Sequence, residues 1–185
     1  MNTLMQLWAP ILATAVLIFI ASSLIHMVFK WHNSDYNKLD NEDAVRAAIL
    51  AGSPAPAQYV LPHCNDMKEM GSEVMIQKYT EGPVAVLTIM KSGPPKMGGT
   101  LTMWFIYSVV VAAIVGCLAL AAYPGKANAS SAGSLVAVAT FMTYVGGSVP
   151  FAIWLGKPWG SVAKDALDGV IYAAISGVTF MMLWP

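Results

Sequence analysis

Four runs of apolar residues, each long enough to cross a lipid bilayer, constrain this chain more than anything else in it. A helix needs about 20 consecutive, mostly apolar residues to span the hydrocarbon core. Residues 4–29 exceed that length with no charge and a single histidine. Residues 101–123 and 133–155 carry no charge, and residues 166–184 carry only Asp168, near their start. Backbone groups inside lipid must be satisfied within their own segment, so such runs fold as helices. The composition agrees: 57% of the chain is hydrophobic and 11% charged, against roughly a quarter charged in soluble domains. The expected class is membrane all-α, four transmembrane helices with a small cytoplasmic α+β insert between the first two. The first run lacks the basic start of a signal peptide and is too long for one, so we expect a permanent helix.

Tryptophan placement points the same way. Trp8, Trp31, Trp104, Trp154, Trp159 and Trp184 all fall near the ends of the four runs. Indole rings favour the headgroup region of a bilayer, and the pattern predicts an aromatic belt.

Residues 30–100 form the insert. Asp40 or Asn41 is placed to cap a helix that runs through Ala51 to a stop at Gly52. Gln58–Leu61 reads as a strand closed by Pro62. Asp66 and Glu69 sit at capping-box spacing and predict a second helix to Glu81, ended by Gly82-Pro83. Val84–Met90 is β-branched and reads as a second strand. The order predicts a βαβ unit with one extra helix; the alternative is a hairpin within Val74–Met90. A domain this small buries little by itself, so we expect it to lean on the membrane helices or on a protein partner.

Basic residues set the orientation. Lys30, Lys38, Arg46, Lys68, Lys78, Lys91 and Lys96 lie in the insert, and Lys157 and Lys164 between the third and fourth runs. Only Lys126 lies on the other side. The positive-inside rule places the insert in the cytoplasm and both termini outside. Net charge is zero, which leaves no basic footprint for nucleic acid.

Within the spans, Ser108, Ala112 and Gly116 recur every four residues, as do Gly169, Ala173 and Gly177. Stripes of small residues let helix backbones approach closely, within one chain or between copies. Pro150 cannot donate to the carbonyl of Gly146, so Gly146, Gly147 and Pro150 predict a kink in the third span. The kink is expected to be a static packing feature; the alternative is a hinge or a niche lined by Thr143, Tyr144 and Ser148.

Candidate chemistry is sparse. Ionisable residues inside a membrane bundle are the best functional pointers, and His26 and Asp168, at similar depth near the cytoplasmic surface, are the pair that qualifies. Asp165 and Asp168 also suit a start-of-helix role, complementing the dipole. His63, Cys64, Met67 and Met70 offer imidazole, thiolate and thioether donors of the kind that hold Cu(I), although methionines at this spacing ordinarily belong to a core. Cys64 and Cys117 are expected to stay unpaired. No phosphate-binding loop, zinc-protease helix or nucleophile elbow is present, and we expect no cofactor.

Glu81-Gly82-Pro83-Val84, Gly93-Pro94-Pro95 with Met97-Gly98, Trp104-Phe105, Asp168-Gly169 with Ile171-Tyr172, and Thr179-Phe180 with Leu183-Trp184-Pro185 occur in this order. Over roughly Tyr59 to the C-terminus the chain resembles a group of bacterial four-helix inner-membrane proteins with no known activity. The resemblance implies topology and a bacterial setting, and carries no catalytic residue. The expected function is non-enzymatic: an accessory or scaffold protein whose insert meets a cytoplasmic partner. The alternatives are a small oligomeric transporter or channel, and a membrane-embedded enzyme.

Overall fold

A computed structural model describes residues 3–185. The chain divides into two compact units, one formed by the residues up to Asn37 together with Lys96–Pro185, the other by Lys38–Pro95.

The first unit is a helical bundle. It comprises α1 (Thr3–Leu24), α4 (Met97–Ala122), α5 (Ala129–Val145), α6 (Ser148–Leu155) and α7 (Trp159–Met182). α5 and α6 together make one span, so the unit has four helices long and apolar enough to cross a membrane. That is compatible with a multi-pass membrane protein. α1 packs on α4 and α7, and α5 packs on the same two, so the four spans close a ring. The core runs through Leu7, Ile18, Val136 and Phe180, each almost completely buried.

Small residues set how closely the helices meet. A Cβ on Gly116 would lie 2.6 Å from the Phe180 ring, and one on Gly169 would lie 2.1 Å from Val145. On Gly177 it would meet Ala137 at 2.9 Å. Ser108 and Ala112 are buried beside Gly116, and Ala173 is buried between Gly169 and Gly177. Both stripes thus face the interior of a single chain. Gly133, which the stripe pattern did not single out, makes the tightest backbone approach between two helices: its Cβ would stand 2.7 Å from the Gly177 carbonyl.

The third span breaks where Pro150 leaves the Gly146 carbonyl without its donor. α5 ends at Val145 and α6 starts at Ser148. α6 stops at Gly156, which takes the left-handed conformation (φ 71°) that glycine adopts without steric cost.

The fourth span corrects the sequence reading. α7 begins at Trp159, seven residues before the apolar run, because Ser161, Val162 and Asp168 are buried against the bundle rather than left in a loop. Asp165 and Asp168 therefore lie in the second and third turns, beyond the reach of the helix dipole. The tryptophans divide too. Trp8, Trp154 and Trp159 are exposed, as a belt requires. Trp184 is buried and donates to the Tyr123 carbonyl at 3.2 Å, Trp31 donates to Asp168, and Trp104 stacks on Tyr107 and meets Tyr144 edge-on.

The second unit holds α2 (Glu42–Ala51), β1 (Ala57–Leu61), α3 (Glu73–Glu81) and β2 (Ala85–Ile89). The strands pair antiparallel, Ala57 opposite Ile89 and Leu61 opposite Ala85, so the expected parallel βαβ unit is not formed. A nine-residue helix is short enough to return the chain in either sense, and two strands offer little sheet face for a crossover to cover. The hairpin alternative fails as well, since Val74–Tyr79 is helical. α3 starts late because Ser72, not Asp66, caps it: the Ser72 hydroxyl accepts from the Met75 amide. Asp66 instead accepts from the Lys68 amide in a tight turn. Ala85, Leu87 and Ile89 alternate inward on β2, and Met75 of α3 is the one fully buried side chain of this unit among the described residues.

Candidate functional site at one end of the bundle

The site is built where α1 leaves the bundle and α7 enters it. After Leu24 the helix widens into one π turn, Ile25–Phe29, closed by the Lys30 amide donating to the Ile25 carbonyl at 2.8 Å. Such turns often mark functional positions. Lys30 takes a left-handed conformation (φ 54°), which folds the chain back into a 3₁₀ turn, Trp31–Asp35. The reversal lays the His32 ring flat on that of His26, with centroids 4.9 Å apart and planes within 3°.

His32 is held from both sides. Its Nδ1 lies 2.7 Å from Asp35 Oδ2, and its Nε2 lies 3.0 Å from Asp168 Oδ2. The other Asp168 oxygen accepts from the Trp31 indole at 3.1 Å. Asp168 is only 6% exposed. Asp35 in turn accepts from Ser161 Oγ at 2.9 Å and from Lys164 Nζ at 2.6 Å. The Lys164 ammonium, helped by His32 and Ser161 and opposed by burial, holds the Asp35 carboxyl down to about 2. Asp35 is therefore ionised through the whole range in which proteins work. A second group lies alongside: Asp165 accepts from Ser148 at the start of α6 and from Lys157 in the connection to α7.

These side chains line a cavity of about 500 Å³ that takes in His26, His32, Asp35, Lys157, Asp165 and Asp168. A smaller space, about 170 Å³, continues from His26 and Asp168 to Trp104, Tyr144 and Tyr172. The Trp104 indole nitrogen and the Tyr144 hydroxyl are buried there without a protein partner. The indole N–H and the hydroxyl are therefore donors open to whatever occupies the space.

His26 and Asp168 are brought together with His32, and donor atoms of all three lie within 4.8 Å of one another. His26 does not donate to Asp168, however. Its Nδ1 lies 2.9 Å from the Ser22 carbonyl, and His32 takes the carboxylate. Asp165 and Asp168 make side-chain bonds in place of the expected dipole role. Of the niche residues, Tyr144 and Ser148 border the cavity system, while Thr143 is exposed and donates to Ala139. Of the soft-donor residues, Met67 and Met70 do not share a helix face, and His63 and Cys64 lie in irregular chain before them. Met67 precedes a 3₁₀ turn, Glu69–Gly71, and is 81% exposed, and the Cys64 thiol donates to the Asp66 carbonyl at 2.9 Å. Cys64 and Cys117 are both free.

Trp31, His32, Asp35, Ser161 and Lys164 were missed. Their signal is local and legible in hindsight: Trp31-His32-Asn33-Ser34-Asp35 and Lys164-Asp165 with Asp168 are dense polar clusters abutting two apolar runs. What no spacing rule supplies is that they meet across more than 120 residues of chain. No protein-family model, no curated protein and no solved structure matches this chain.

Proposed function

We propose that this chain is a bacterial inner-membrane protein that binds a small charged solute in the polar cavity at the lysine-bearing end of its bundle. In this reading that end and the insert face the cytoplasm and both termini face outward. The observation that carries it is the charged network of His32, Asp35, Asp168 and Lys164, sunk between α1 and α7 around a solute-sized space. Ionisable groups in a membrane bundle are costly and mark binding or transfer sites far more often than they serve packing. The nine basic residues on one side against Lys126 on the other support the orientation. The small-residue stripes are used within the chain, which removes their support for an oligomeric channel.

Thermal unfolding of the detergent-purified chain against a panel of solutes tests the reading: divalent metal salts, phosphate, carboxylic acids and amines. A solute at 100 times its Kd adds about 2.7 kcal/mol, so at least one is expected to raise Tm by several degrees in the parent chain and not in Asp168→Asn. No shift from any solute would mean that the network merely staples α1 to α7. For topology, a cysteine at Ser53 should resist membrane-impermeant thiol reagents in intact spheroplasts, and labelling there reverses the orientation.

A second reading has its own support. Val74, Ile76, Val84 and Met90 of the insert are all more than half exposed, an apolar surface suited to a cytoplasmic protein partner. One stoichiometric protein recovered with the full chain, and lost with Ile76→Asp, would favour an accessory role alongside the solute site.

A further inference from the structure

We infer that His26, His32 and Asp168 form a binding site for one divalent first-row transition-metal ion. The inference rests on the solute-site reading above and names the class of solute.

The first argument is donor orientation. A histidine that ligates a metal through one ring nitrogen almost always donates its other N–H to a carbonyl or carboxylate, which fixes the tautomer and the ring. Both histidines are arranged this way. His26 Nδ1 lies 2.9 Å from the Ser22 carbonyl; a carbonyl only accepts, so Nδ1 carries the proton and Nε2 keeps its lone pair. His32 Nδ1 lies 2.7 Å from Asp35, whose carboxyl oxygens also accept from Lys164 and Ser161. Asp35 therefore accepts from Nδ1, and His32 Nε2 is the atom presented to Asp168. Carboxylate, histidine and ion are in the order that recurs behind metal-bound imidazoles.

The second argument is spacing. Two donors that share an ion at about 2.1 Å stand roughly 3.0–3.4 Å apart. His32 Nε2 and Asp168 Oδ2 are 3.0 Å apart, so an ion can replace the proton they share with little movement. Each of the three residues offers a donor atom within 4.8 Å of the other two. Among the described residues no other group of three His, Cys, Asp or Glu meets this spacing.

The third argument is access and support. Exposure falls from His26 through His32 to Asp168, which gives an ion a path inward to a buried carboxylate. The Trp31 indole holds the other Asp168 oxygen at 3.1 Å, leaving Oδ2 as the ligand. Two imidazoles and one carboxylate suit zinc, iron, cobalt or manganese and disfavour magnesium or calcium, which prefer all-oxygen shells. Three protein donors leave at least one position for water or a solute in the adjoining cavity of about 500 Å³.

The test uses the full chain in detergent, stripped with a chelator and titrated with Co²⁺, whose visible absorption reports binding, with Zn²⁺ as competitor. One Co²⁺ per chain is expected, displaced by one Zn²⁺. His32→Ala and Asp168→Asn should each abolish the bands. Asp35→Asn, which removes only the carboxylate behind His32, should weaken affinity about 10- to 100-fold. His63→Ala should change nothing. Because ligand variants can fail to fold, X-ray absorption on the Zn²⁺-loaded parent chain is the independent readout. Two imidazole donors with oxygen support the site; sulfur donors, or fewer than two imidazoles, overturn it. Binding no tighter than about 100 μM overturns it too. If phosphate or an amine raises Tm in the parent chain while Co²⁺ and Zn²⁺ do not, the metal assignment falls and the solute cavity stands. If nothing does, both fall.

Discussion

The bundle and the insert solve opposite problems with the same chain. In the bundle, Leu7, Ile18, Val136 and Phe180 are almost wholly buried and Gly133 brings two helix backbones into contact. In the insert, Met75 alone is fully buried among the described residues, behind a two-stranded sheet. Lipid is as apolar as a protein core, so a bundle in a bilayer is held by close packing rather than by apolar burial. An insert in water depends on that burial and has little of it. A polar cavity can be tolerated at the end of the bundle because the packing around it over-determines its walls.

The largest effect expected from this contrast is on the insert by itself. A peptide of Lys38–Pro95 should show no cooperative thermal transition and no dispersed amide spectrum. Two strands and two short helices around one buried methionine fall below what usually folds alone. A cooperative transition would break the comparison and show that the insert is an autonomous domain.

Next come the glycines of the bundle. Gly133→Leu places a side chain where a Cβ already stands 2.7 Å from the Gly177 carbonyl and 2.9 Å from Met181. Backbone cannot give way as a side-chain tip can, so a loss of about 3 kcal/mol is expected, read as denaturation in mixed micelles or as failure to purify as a single species. Gly147→Ala, where a Cβ meets open space, should be neutral or slightly stabilising. Equal effects at the two positions would refute the packing account.

Met75→Ala is expected to cost about 2 kcal/mol, felt only in the insert. Hydrogen exchange should accelerate in β1, β2 and α3 while α4, α5 and α7 stay protected. Loss of protection in the bundle would mean that the two units unfold together.

The contrast also explains what could be read from the residues. The spans were legible because lipid demands long apolar runs, and the stripes through Gly116 and Gly177 because small residues recur on one helix face. The helical start at Trp159 was not, since Ser161 and Lys164 are polar for the sake of Asp35, a partner no window around them contains. The tryptophans misled for a related reason: an indole near a span end serves the interface or an internal acceptor equally well, and Trp31 and Trp184 found acceptors. In the insert, Asp66 resembled a cap by spacing, but a serine nearer the helix competed successfully. His26 and Asp168 stand out as ionisable residues within apolar sequence; His32, three residues past the first run, carries the geometry that joins them.

The smallest effects separate the two regions most finely. Lys30 in the bundle (φ 54°) and Ser53 in the insert (φ 45°) are the two non-glycine residues with positive φ among the described residues. A side chain there costs about 1 kcal/mol, part of which glycine returns through its freer unfolded state. Lys30→Gly and Ser53→Gly should each therefore stabilise by roughly 0.5 kcal/mol, measured as a rise in midpoint. Their functional consequences should differ. Ser53 closes a turn after α2, and its amide and hydroxyl both donate to the Leu50 carbonyl. Lys30 is the hinge that stacks His32 on His26, and glycine there makes that stacking one of several accessible arrangements. Co²⁺ affinity should fall several-fold in Lys30→Gly while stability rises, and stay constant in Ser53→Gly, because rigidity of a connecting turn contributes to binding by lowering the ordering cost. Stability and affinity rising together in Lys30→Gly would show that the left-handed residue is strained without preorganising the site.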